Sequence, residues 1–90
     1  MTSTITLPLS AVFKAASQNW GDRFNESVLD LDAYFEREPE LITPVNIGAF
    51  VSLWFKHDDL TVEEVGDAEF DVKFAFPTDD DAIWFNLRWL

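Results

Sequence analysis

Apolar residues recur along this chain at two different periods, and the change of period divides it into elements. In residues 9–19, Leu9, Val12, Phe13 and Ala16 fall at three- and four-residue spacing, which predicts a first helix with Gly21 as its stop. A second helix is expected over residues 25–38. Asn25 suits its N-cap, Glu26 its first turn, and Val28, Leu31 and Phe35 form one stripe before Pro39 ends it. Residues 43–57 carry both signals. Ile47, Phe50, Val51, Trp54 and Phe55 share a helical face, yet Val51, Leu53 and Phe55 also alternate with Ser52, Trp54 and Lys56 as a strand would. Thr43 followed by Pro44 is an N-cap with proline at the first helical position, which favours the helix.

Towards the C-terminus the period becomes two. Phe70, Val72, Phe74 and Phe76 alternate with Asp71, Lys73 and Ala75. Beyond "PTDDD", Ile83, Phe85, Leu87 and Trp89 alternate with Trp84, Asn86 and Arg88. This predicts an antiparallel hairpin with one buried face, with the aspartates at its tip and Trp84 on its polar face. Two strands are not stable alone. "TITL" near the N-terminus is a candidate third strand, and "TVEE" at 61–64 matches a capping box and suggests a short helical turn. The expected fold class is therefore α+β: one small domain over residues 1–90, with two to three helices packed on a mostly antiparallel sheet that includes a C-terminal β-hairpin.

Composition sharpens this picture. A chain of 90 residues buries only about 60% of its unfolded surface. With no cysteine there is no disulfide or thiolate metal site to add stability, so nine Phe, four Trp and one Tyr must carry the core. "MTSTITLPLSAVFK" has neither a charged n-region nor a long apolar run, and no stretch approaches about 18 apolar residues. The expectation is a cytoplasmic protein, in the host cytoplasm if phage-encoded, with no membrane segment.

The strongest compositional signal is charge. Seventeen acids against six bases give a formal charge of −11. Residues 1–21 hold Lys14 and no acid, residues 22–40 hold seven acids and two arginines, and residues 58–81 hold ten acids and only Lys73. Such a chain repels nucleic acid and anionic membranes, and its natural partners are basic.

The sequence offers little for catalysis or cofactors. The only histidine, His57, lies in "KHDDL" and reads as a surface residue at an element end. No serine has a nucleophile setting such as Gly-x-Ser-x-Gly. Asp79, Asp80 and Asp81 lack the alternate spacing and central glycine of a calcium loop. Gly21, Gly48 and Gly66 are isolated, so no phosphate loop is present, and so short a chain leaves little room for a sugar cleft between paired carboxylates. The reading is a protein that is not an enzyme and takes no cofactor or metal.

Acids at regular intervals suit a different task. Glu26 and Asp30, and likewise Asp32 and Glu36, stand one helical turn apart, about 6 Å. Glu69 and Asp71 share a strand face at about 6.6 Å. Both spacings are comparable with the phosphate interval of a nucleic-acid strand. A rigid scaffold holding carboxylates this way can occupy the basic cleft of a DNA- or RNA-binding protein or nuclease. The expected partner-binding residues are Asp58, Asp59, Glu63, Glu64, Asp67, Glu69, Asp71, Asp79, Asp80 and Asp81, with Trp84 as anchor, and Glu26, Asp30, Asp32 and Glu36 on the second helix. In size, charge and lack of catalytic residues the chain is similar to acidic DNA-mimic proteins. That functional class shares no single fold, and many members are carried by phages and mobile elements to block restriction enzymes, CRISPR effectors or repair enzymes. The alternatives are an immunity protein or antitoxin for a basic toxin, and a non-inhibitory interaction or assembly domain. A second copy of the chain is a further candidate partner.

Overall fold

The computed structural model describes residues 2–67 and 69–90. The order is β1 (Ser3–Pro8), α1 (Leu9–Trp20), α2 (Asp22–Arg37), a 3-10 turn (Pro39–Leu41), α3 (Pro44–Phe55), β2 (Leu60–Gly66), β3 (Glu69–Phe76) and α4 (Asp79–Trp89). The three strands form one antiparallel sheet in the order β1-β3-β2. The class is α+β, as the pattern predicts.

β3 occupies the centre because its alternation is the cleanest. Phe70, Val72, Phe74 and Phe76 are buried on one face, and Glu69, Asp71, Lys73 and Ala75 lie on the other. On the inner face, Ile5 and Leu7 of β1 and Leu60 and Val62 of β2 join them. The helices cover this face only. Val12, Ala15 and Ala16 of α1, Ile47, Val51 and Phe55 of α3, and Ala82, Phe85 and Trp89 of α4 close the core, with Phe24 from α2. The outer face stays in solvent and is polar, with Thr4, Thr6, Thr61, Glu63 and Lys73 exposed.

Three expectations need correction. First, residues 79–89 are a helix, so "PTDDD" is no hairpin tip. Both edges of β3 are already taken, by β1 and β2, leaving no place for a strand after it. Thr78, in extended conformation, caps the helix instead: its hydroxyl accepts from the Asp81 amide at 3.2 Å and donates to Asp81 Oδ2 at 3.1 Å. The three aspartates then occupy the first turn, where the unpaired amides and the helix dipole favour negative charge. Second, "TVEE" lies in β2, and the hairpin is β2–β3, with Asp67 in its turn. Third, α2 begins at Asp22 and not after Asn25. Gly21 has φ 65° and ψ −138°, a conformation that favours glycine, and it turns the chain directly from α1 into α2. The Asn25 side chain accepts from Ser17 Oγ at 2.9 Å and caps nothing.

The helix at α3 forms as its capping signal predicts. Thr43 accepts from the Asn46 amide at 3.2 Å, with Pro44 in the first turn. It ends at Lys56, which takes the left-handed conformation at φ 52° and leads the chain out to β2.

Candidate functional site

All seventeen acids are exposed except Asp71, which is half-buried. Among the described residues no lysine or arginine lies within 4 Å of a carboxylate oxygen as an ion pair. Three of the six cations are held on aromatic rings instead. Arg23 and Lys56 both lie over the Trp20 ring, at 5.9 and 5.7 Å from its centroid. Arg88 stacks on Trp89 at 4.1 Å and donates to Asn19 Oδ1. Tryptophan faces attract cations through the ring quadrupole. The fold thus engages half of its six bases with aromatic rings and leaves its carboxylates unneutralised.

The expected binding residues form three groups. The acidic run 58–81 is divided by the sheet. Glu63, Glu64, Asp67, Glu69 and Asp71 gather at the hairpin end, while Asp58, Asp59 and Asp79–Asp81 lie at the opposite end, where β3 runs out at Phe76. The eight residues of β3 separate these ends by about 23 Å. The third group is α2. Glu26 and Asp30 line a cleft of about 510 Å³ against Trp20, Arg23, Leu53 and Trp54. At about 100° per residue, Asp32 and Glu36 fall on the other flank of that helix.

Within the hairpin group one contact is unfavourable in itself. Glu63 and Asp71 are directly opposite on neighbouring strands. The Ala75 amide donates to the Asp59 carbonyl, so residues 71, 73 and 75 of β3 bond toward β2. Glu63 and Asp71 are therefore a hydrogen-bonded pair with Cα atoms about 5.5 Å apart. Like charges so placed destabilise a sheet. Lys73, diagonal to Glu63 on the same outer face, is the only base of β2 and β3.

Trp84 is exposed, as expected of an anchor, but on a helix and not on a polar strand face. It is 71% exposed and has apolar company: Ile83 is 56% and Leu87 74% exposed, on the side of α4 opposite Ala82, Phe85 and Trp89. The period-two alternation places Ile83 and Leu87 on a buried strand face, whereas the helix exposes both. The signal that would have found them is "TDDDA", an N-cap threonine as at α3 but with an acid three residues on in place of proline at the first helical position.

His57 also departs from expectation. It is half-buried among Phe74, Phe76 and Phe85, with its ring centroid 4.7 Å from that of Phe76. Its Nε2 donates to the Ala75 carbonyl at 2.8 Å, so the ring closes the end of the core. Ser52 donates to Asp58 Oδ1 at 2.9 Å, and no nucleophile–base pair arises from these residues. Among the described residues no three histidine or acidic side chains converge as a metal set, and no helix is long and apolar enough to cross a membrane. Comparison with family models, with curated proteins and with solved structures finds no match, so the site's own geometry carries the functional argument.

Proposed function

We propose that this protein is an inhibitor that imitates the charge of nucleic acid and blocks the basic cleft of a DNA- or RNA-binding protein or nuclease. The observation that supports this most is the disposition of charge: acids that are nearly all exposed and, among the described residues, without ion-paired bases, on a compact scaffold that holds three of its six cations over tryptophans. Rigidly held carboxylates lose less entropy on binding than flexible ones, and they steer a basic partner from a distance. The Glu63–Asp71 pair fits the same reading, since a basic partner neutralises a repulsion that the free protein carries. The protein binds, and performs no chemistry.

The apolar face of α4 favours a second reading, an immunity protein with one dedicated toxin. Ile83, Trp84 and Leu87 give a shape-specific contact that charge imitation alone does not need. The experiment that separates the two is capture from a host lysate at about 50 mM salt, followed by elution with duplex DNA. Release of a nucleic-acid-binding protein by DNA supports charge imitation. A single partner that resists DNA supports the immunity reading, and retention of nothing overturns both.

A further inference from the structure

The sheet has two edges, and they are treated differently. The outer edge of β2 lies among Asp58, Asp59, Glu63 and Glu64, and its register shifts between Glu64 and Gly66. Charges and bulges of this kind keep an edge from pairing with another chain. β1 has neither. Its six residues, Ser-Thr-Ile-Thr-Leu-Pro, carry no charge, and its register with β3 is unbroken.

The parity of the ladder shows which groups are free on that edge. Residues 71, 73 and 75 of β3 bond toward β2, so residues 72, 74 and 76 bond toward β1. Their partners are Leu7, Ile5 and Ser3. The amides and carbonyls of Thr4 and Thr6 therefore point away from the sheet. Pro8 has the same parity, and its lack of an N–H leaves no ladder bond unmade. Among the described residues no hydrogen bond from another segment reaches Thr4 or Thr6.

We propose that the free edge of β1 is a self-association surface on which a second copy of this chain pairs antiparallel, joining two sheets into one of six strands. Two observations select a second copy as the occupant. The sequence Thr4-Ile5-Thr6 is symmetric about Ile5, so in a two-fold pairing Thr4 of each copy lies opposite Thr6 of the other and Ile5 opposite Ile5. That register makes about four new backbone bonds and is self-complementary, as a two-fold contact must be. Charge points the same way. Residues 2–21 hold no acid, so β1 and α1 form a region where two chains of charge −11 can approach. The pairing sends the two acidic β2 strands to opposite ends of the joined sheet, about 24 Å apart. That exceeds the screening length of about 8 Å at physiological salt. A β2–β2 contact would bring Glu63 and Glu64 of both copies together.

This pairing does not depend on the proposed inhibitory function, and salt separates the two. Added salt screens the repulsion between copies and strengthens the dimer, whereas it weakens binding to a basic target. The test is sedimentation equilibrium of the wild-type chain from about 1 µM to 1 mM at low and high salt. The expected mass rises from 10.3 kDa toward twice that value with concentration, and rises further with salt. Thr6→Pro removes an N–H that only the second copy uses, so it is expected to stay folded and sediment as a monomer. Amide exchange on the wild-type chain needs no variant: protection at Thr4 and Thr6 should increase with concentration. A wild-type chain that is monomeric throughout, or concentration-independent exchange at Thr4 and Thr6, overturns the proposal.

Discussion

Replacing Thr78 by alanine removes both side-chain hydrogen bonds at the start of α4, the one accepted from the Asp81 amide and the one donated to its carboxylate, and leaves the backbone bond from Ala82 to the Thr78 carbonyl. An N-cap threonine is worth about 1 kcal/mol, with a range of roughly 0.5–2. The loss cannot remain local, because α4 supplies Ala82, Phe85 and Trp89 to the core. For a domain of this size, about 1 kcal/mol lowers Tm by about 4–8 °C. Thr78→Ser keeps the hydroxyl and should stay close to wild type. The assay is urea and thermal unfolding followed by far-UV circular dichroism, with both variants compared at equal m-value. Were residues 78–81 a solvent-exposed hairpin tip, the alanine variant would differ by no more than about 0.5 kcal/mol, the usual range for a surface substitution. A Thr78→Ala protein as stable as Thr78→Ser would refute the capping argument.

Other variants probe the core and the surface separately. Phe74 is fully buried at the centre of β3, so Phe74→Ala should cost about 3–5 kcal/mol, seen as a lower urea midpoint or as failure to fold. Glu63→Gln relieves the like-charge pair with Asp71; a gain of about 0.2–1 kcal/mol is expected, shrinking as salt is added, together with weaker binding to the proposed basic partner. Trp84→Ala should change stability by less than about 0.5 kcal/mol while speeding dissociation from that partner, measured by surface plasmon resonance.

Much of the fold is legible in the sequence where one signal acts alone. β3 alternates with only Ala75 apolar on its outer face, and Gly21 marks the end of α1; at α3, where helix and strand periods compete, Thr43 and Pro44 decide for the helix. Residues 82–89 are harder because they satisfy two periods at once. Ala82, Phe85 and Trp89 follow the helical spacing that is buried, while Ile83 and Leu87 complete a false alternation from the exposed side of the same helix. The cap at Thr78 and the topology resolve this together, since β3 has no free edge left for another strand. Val62 decides "TVEE" in the same way, by packing inward with Phe70 and Val72. The acids were all visible in sequence, yet their division between two ends of the sheet depends on which strands pair.

If exposed carboxylates carry the proposed interaction, binding must depend strongly on salt. The affinity for the captured partner would be measured by titration calorimetry across a range of salt, for the wild type and for a variant with Glu63, Glu64, Asp67, Glu69 and Asp71 neutralised. Log K for the wild type should fall steeply and linearly with log salt, and the variant should bind more weakly with a shallower slope. A wild-type affinity that salt leaves unchanged, or a neutralised variant that binds equally well with the same slope, would contradict the account.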